Sequence, residues 1–329
     1  MDVDAYRAVH ESDWQRLSVL VRRRRLDGTE ADELVRLYQS TATDLSVLRT
    51  RAPDPVLISE LSVLLARSRS KLTGSSDSSW RDVVRLFGVT IPAAFYRVRW
   101  WTVGVMVVFL AVAVTAGWWM ATAPGAVEVM GTASQREDYV QNAFAAYYDP
   151  GTDFAVTVWT NNAWIAAQLV GLGITGVWPV FVLATNAVSV GAAGGLMASE
   201  GELDVFLALI LPHGLMELTA VFVAGGAGLR LFWTAVAPGP RTRGRALAEE
   251  GRATMIVALG LVFVLGISGL VEGFVTGSDL AWWLKIVIGA VVLAAYWVYT
   301  LVLGGRAAAA GETGDLSAEE AGELAPTAG

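Results

Sequence analysis

The chain has 329 residues, 54% of them hydrophobic and 17% charged, with 13 Trp, no Cys and a net charge of −7. A soluble domain carries about a quarter charged residues, so the composition leans toward a membrane protein, and the lack of cysteine excludes disulfides, thiolate catalysis and cysteine-ligated metal centres. Charge is divided between unlike parts: two thirds of the 24 basic residues precede Trp100, and residues 100–229 hold one, Arg136.

Residues 1–95 read as a cytoplasmic helical domain of four helices. The N-terminus lacks the basic n-region and apolar h-region of a signal peptide. Tyr6, Val9, Trp14, Leu17, Leu20 and Val21 recur at close to helical spacing from Asp4 to Arg25. The Arg22–Arg25 run is a solvated helix end, with anionic lipid as the alternative contact. The Arg richness reflects composition rather than nucleic-acid binding. Asp27-Gly28 breaks the chain, and Thr29-Glu30-Ala31-Asp32 resembles a capping box opening the second helix. Pro53 and Pro55 divide this from a third helix, and TGSSDSS is a polar linker. From Trp80, arginines alternate with Val83, Val84, Leu86, Phe87 and Ile91, the pattern of an interfacial helix bent near Pro92.

Residues 96–305 read as a transmembrane bundle of six helices, since about 20 apolar residues cross a bilayer core. The spans are Trp100–Met120, two within Phe154–Met197 divided at GITGVWP, Val205–Leu229, Ala253–Val275 and Trp282–Leu303. Between the first two, DYVQNAFAAYYD is long enough for a short amphipathic helix on headgroups or against a partner. Residues 306–329 read as a disordered, acidic cytoplasmic tail. Ten basic residues flank one side of the spans (Arg81, Arg85, Arg97, Arg99, Arg230, Arg241, Arg243, Arg245, Arg252, Arg306), against Arg136 and Lys285 on the other. That asymmetry, with an even number of spans, puts both termini in the cytoplasm of a multi-pass inner-membrane protein.

Polar side chains at membrane depth are costly and each needs an explanation. They are Asn161, Asn162 and Gln168 in the second span, Asn186 in the third, His213 and Glu217 in the fourth, Glu272 in the fifth and Lys285 in the sixth. At about 1.5 Å rise per residue, all fall in the outer half or at the midplane, so Asn161 or Asn162 is expected to touch the His213/Glu217 layer. His213 and Glu217 are four apart and share a helix face. They read as a structural hydrogen-bonding pair, as a proton or ion relay, or, with Glu272, as metal ligands. No HExxH spacing or Gly-x-Ser-x-Gly elbow supports an enzyme, so no cofactor, resident metal or catalytic residue is expected. Glu272 and Lys285 flank a short outer loop as an ion pair or headgroup contact. Gly191/Gly195 and Gly269/Gly273 have the small-xxx-small spacing of close helix packing.

The segments LYQSTATDL, TNNAWIAA, GLGITG, ILPHGLMELTAVFVAGGAGLRL and SGLVEGFVTGS together resemble the stage II sporulation protein M family in its longer actinobacterial form. Asn186-Ala187 departs from the Asn-Gly expected there. The resemblance implies a scaffold or assembly factor in envelope or peptidoglycan remodelling. In endospore formers it implies work beside the peptidoglycan-degrading stage II sporulation proteins D and P. Its partners are then membrane lipids, membrane or cell-wall proteins, and a second copy in a homo-oligomer. A small-ion, proton or lipid-linked transporter and a metal-dependent intramembrane hydrolase are the rival readings.

Overall fold

The computed structural model describes residues 3–23, 26–51, 54–72, 80–143 and 152–315. Arg24, Arg25, Pro53, the linker at 73–79, the later part of DYVQNAFAAYYD and the acidic tail from 316 onward lie outside the described residues. Among the described residues the chain is all α, in two compact units, Met1–Val83 and Val84–Gly329. The boundary falls before the expected one at 95, because Ile91, Ala94 and Phe95 are buried in the core of the second unit.

The first unit packs three helices together: α1 (Val3–Arg22), α2 (Gly28–Arg51) and α3 (Pro55–Leu72). Leu17, Leu20, Leu34 and Leu37 form one part of its interior, and Trp14, Leu45, Leu48, Leu57 and Leu61 another. The cap of α2 is Asp27, not Thr29. Its carboxylate accepts from the Glu30 backbone N–H at 2.8 Å, and Glu30 accepts back from the Asp27 N–H at 3.3 Å. Asp is as good an N-cap as Thr, and Glu30 completes the box three residues on. Asp54 does the same for α3 through the Val56 and Leu57 N–H groups, just ahead of Pro55. Asp44, 4% exposed, accepts from Tyr6 Oη at 2.8 Å and Trp14 Nε1 at 2.9 Å, joining α1 to α2. Desolvation, then the hydrogen bond to Asp44, pushes the Tyr6 phenol up to about 12.

The second unit is a bundle of α4 (Ile91–Thr122), α5 (Thr152–Gly171), α6 (Val177–Ser199), α7 (Leu203–Val236), α8 (Arg243–Val271) and α9 (Trp282–Val298). Leu86–Thr90 form a π turn just before α4, where Pro92 supplies no N–H. A second π turn, Glu272–Thr276, closes α8. Among the described residues, four of these helices and the stretch that extends α4 backward, five in number, are long and apolar enough to cross a membrane. The expected second span corresponds to α5, which has 20 residues but is not one of those five; Asn161, Asn162 and Gln168 dilute its hydropathy.

Close contacts fix the helix directions. Gly191 and Gly195 of α6 lie on the backbone of Ala113 and Gly117 of α4, so close that a Cβ would sit 2.2 and 2.4 Å from a carbonyl oxygen. Late residues meet late residues, and α6 runs parallel to α4. Gly173, just after α5, meets Gly228 late in α7. Between α5 and α6 the chain turns through a 3-10 segment, Gly173–Thr175, and Gly176 at φ +67°. Glycine is required there, since a Cβ would also strike the Phe232 ring at 2.8 Å. The six helices alternate in direction, and both ends of the described unit reach the same end of the bundle.

The residues expected to begin a disordered tail are ordered as far as Asp315. Gly304–Ala309 form a last helical turn with Gly304 on the Pro92 carbonyl. Beyond it, Arg85 meets Glu312 at 3.1 Å, Arg97 donates to the Thr313 carbonyl, Gly314 (φ +72°) rests on Ala94, and Arg252 grips Asp315 with two bonds of 2.8 and 2.9 Å.

Candidate functional site

Apolar helices in a bilayer place polar side chains inward, where neighbouring helices can satisfy them. In this bundle that concentrates chemistry in one place. His213 and Glu217 share a face of α7, and the π turn closing α8 brings Glu272 and Thr276 against them. One ligand atom each of His213, Glu217 and Glu272 lie within 4.8 Å of one another. His213 Nε2 stands 3.7 Å from Glu272 Oε1, and His213 Nδ1 is 3.1 Å from the Thr276 hydroxyl. Asn162 of α5 is hydrogen-bonded to the Glu217 carboxyl. Ser268 donates to the His213 carbonyl at 3.1 Å. His213, Asn162, Glu272 and Thr276 are buried, and Glu217 is partly buried.

The close approach of α9 seals one side. Gly289 lies on the Pro212 carbonyl, where a Cβ would fall 2.1 Å from the oxygen. Pro212 lacks the N–H that would bind the carbonyl one turn earlier, yet α7 runs through it unbroken.

The other polar residues of the spans stand apart from this group. Asn161 is exposed; adjacent helical residues point about 100° apart, so only one of the pair can face α7. Asn186 donates to the Val182 carbonyl of its own helix at 2.8 Å. Gln168 is half-buried on α5, six residues beyond Asn162. Lys285 and Glu272 form no ion pair. The Lys285 ammonium donates to the Thr276 carbonyl at 2.7 Å, capping the π turn, while the Glu272 side chain turns inward toward His213. Gly269 and Gly273 are both buried along the end of α8.

A second polar group was not anticipated. Glu250 of α8, 1% exposed, accepts from Arg97 Nη2 of α4 and Arg230 Nε of α7, both at 2.7 Å. Arg230 also donates to the Arg97 carbonyl at 2.7 Å. All three residues lie in the basic flanks that the sequence offers as topology signals, and nothing local marks Glu250 apart from its neighbour Glu249, which pairs with Arg241 and Arg245 at the surface.

Two cavities among the described residues of the bundle are apolar. One of about 510 Å³ is lined by Trp100, Trp101, Phe109 and Leu183 between α4 and α6, and one of about 590 Å³ by Phe87, Phe95, Phe263 and Tyr299. Their lining suits acyl chains or a hydrophobic partner helix.

Comparison with known families gives two matches. The model described as stage II sporulation protein M matches residues 106–277, which contain the whole triad, and one described as a domain of unknown function (DUF8413) matches residues 4–74. No curated protein and no solved structure matches.

Proposed function

Because the chain belongs to the stage II sporulation protein M family, as a match over more than half its length establishes, we propose that it is a non-enzymatic scaffold or assembly factor for envelope or peptidoglycan remodelling. It sits in the cytoplasmic membrane with both termini inside. The basic flanks gathered at one end of the bundle support that orientation. The observation that carries the scaffold reading is the backbone-to-backbone locking of the helices. Gly191 and Gly195 seat α6 on α4, Gly173 and Gly228 join the end of α5 to α7, and Gly289 seats α9 on Pro212. Alternating-access transport requires one group of helices to rock against another. Contacts without intervening side chains at these crossings favour a rigid platform instead.

The test is cross-linking in the native membrane followed by purification under detergent. The reading expects co-purification of wall-acting or septal membrane proteins, lost when Gly191→Leu separates α6 from α4. Proton or ion flux catalysed by the pure protein in liposomes would overturn it.

A further inference from the structure

We propose that His213, Glu217 and Glu272 bind one divalent first-row transition-metal ion that ties α7 to the π turn closing α8. The inference is independent of the scaffold reading and rests on the geometry of the three side chains.

The charge balance comes first. Two carboxylates and a neutral imidazole exactly offset a doubly charged cation, so the loaded site would place no net charge in a medium where an isolated one is prohibitive. The distances come second. Ligand atoms around a tetrahedral ion with bonds of about 2.1 Å lie about 3.4 Å apart. The 3.7 Å between His213 Nε2 and Glu272 Oε1 is too long for a hydrogen bond and close to that edge. The remaining separations, within 4.8 Å, close by small side-chain rotations.

An independent observation points the same way. Glu272 is 2% exposed and its Oε2 has no hydrogen-bond partner. A buried carboxylate oxygen without a donor is strongly disfavoured. The nearest cationic side chain on the next helix, Lys285, is turned to the Thr276 carbonyl instead. A cation that Glu272 binds through both of its oxygens supplies the missing partner.

The ligands are also oriented as metal ligands are. Thr276 holds Nδ1 of His213, which leaves Nε2 directed at Glu272. Asn162 holds the Glu217 carboxyl. Such outer contacts fix ring and carboxylate orientation in metal sites. One imidazole with two carboxylates suits Zn²⁺, Mn²⁺ or Fe²⁺ better than Mg²⁺ or Ca²⁺, which take oxygen ligands.

The experiment uses the full chain, purified in detergent through a tag without histidine. Metal content is measured by mass spectrometry, and melting is followed after chelation and after reloading with Zn²⁺, Mn²⁺ or Mg²⁺. The expected result is roughly one transition-metal ion per chain, with a melting temperature that falls on chelation and recovers with Zn²⁺ or Mn²⁺ but not Mg²⁺. Glu272→Gln and His213→Gln should each lower bound metal by at least about tenfold and melt like the chelated parent. Wild-type protein that neither retains Zn²⁺ or Mn²⁺ nor melts differently on reloading overturns the proposal, whether or not the variants fold. Variants that hold as much metal as the parent overturn it too, by placing the ion elsewhere.

Discussion

Glu250 and Arg230, twenty residues apart on consecutive helices, meet at 2.7 Å with the carboxylate almost wholly out of solvent. Because Arg97 binds the other carboxylate oxygen, one acid holds α4, α7 and α8 together at the end of the bundle opposite the triad. Glu250→Ala should therefore destabilise by roughly 3–5 kcal/mol, since two guanidiniums would lose their partner in a partly buried site. Glu250→Gln, which keeps the shape and one acceptor, should cost less. Thermal unfolding in detergent compares the two. An alanine variant as stable as the parent would remove the clamp from the account of the fold.

The alternation of helices, taken with the proposed orientation, predicts the side of each loop. Gly125, Gly201, Gly239 and Gly311 each occupy a left-handed turn position following a helix, with φ of +75°, +84°, +69° and +90°. Reporter fusions at Gly125 and Gly201 should read as external, and those at Gly239 and Gly311 as cytoplasmic. A cytoplasmic signal at Gly201 would mean that α5 and α6 do not cross as a pair.

Much of this layout is legible from hydropathy alone, because a 20-residue apolar run and a Gly/Pro turn have few other solutions in lipid. The face shared by His213 and Glu217 is legible from spacing, and depth brings Glu272 near them. Other features depend on neighbours that a local pattern cannot supply. Asn161 and Asn162 have the same depth, so only the rotation of α5 against α7 selects Asn162. Lys285 looks like the natural partner of Glu272, yet the π turn presents the Thr276 carbonyl to it and turns Glu272 inward. Glu250 reads as one more charge in a polar flank, and its burial arises from three helix ends converging.

In the first unit, Asp44 satisfies two indole and phenol donors from α1. Asp44→Leu would leave Trp14 with a buried, and Tyr6 with a half-buried, unmatched donor, at a cost of about 2 kcal/mol. Tyr6→Phe, which removes one donor together with its need, should cost about 1 kcal/mol or less. Hydrogen exchange of the α2 amides reads these as lowered opening free energies. Equal effects from both substitutions would show that Asp44 is not the hub.

Acid should loosen the same unit. The Arg16 guanidinium beside Glu33, at 2.6 Å, holds the Glu33 carboxyl below its ordinary value. The folded pKa lies below the unfolded one, so this contribution is present above about pH 4.3 and is lost as pH falls through the folded value. Peptic cleavage within residues 1–83, compared between parent and Glu33→Gln at each pH, checks the sign. The parent should lose its advantage over the variant as pH drops. An advantage that grows in acid would contradict the assignment.

The last prediction concerns how α5 is held to α7. In lipid, neither the Asn162 amide nor the Glu217 carboxyl can turn to water, so removing one strands the other. Glu217→Leu and Asn162→Leu should each destabilise the bundle, whereas the double variant should cost less than the sum because nothing is left unsatisfied. Polar contacts between membrane helices couple by roughly 0.6–1.7 kcal/mol in such cycles, and about 1 kcal/mol is expected here. The cycle is run with a chelator present, so that any cation on Glu217 does not enter the difference. Glu217→Gln belongs in the same series: it keeps the bond to Asn162 and should retain most of the stability that Glu217→Leu loses. Strict additivity of the two leucine substitutions would show that the contact contributes nothing, and that α5 is held by apolar packing through residues such as Ala166, Leu169 and Val170.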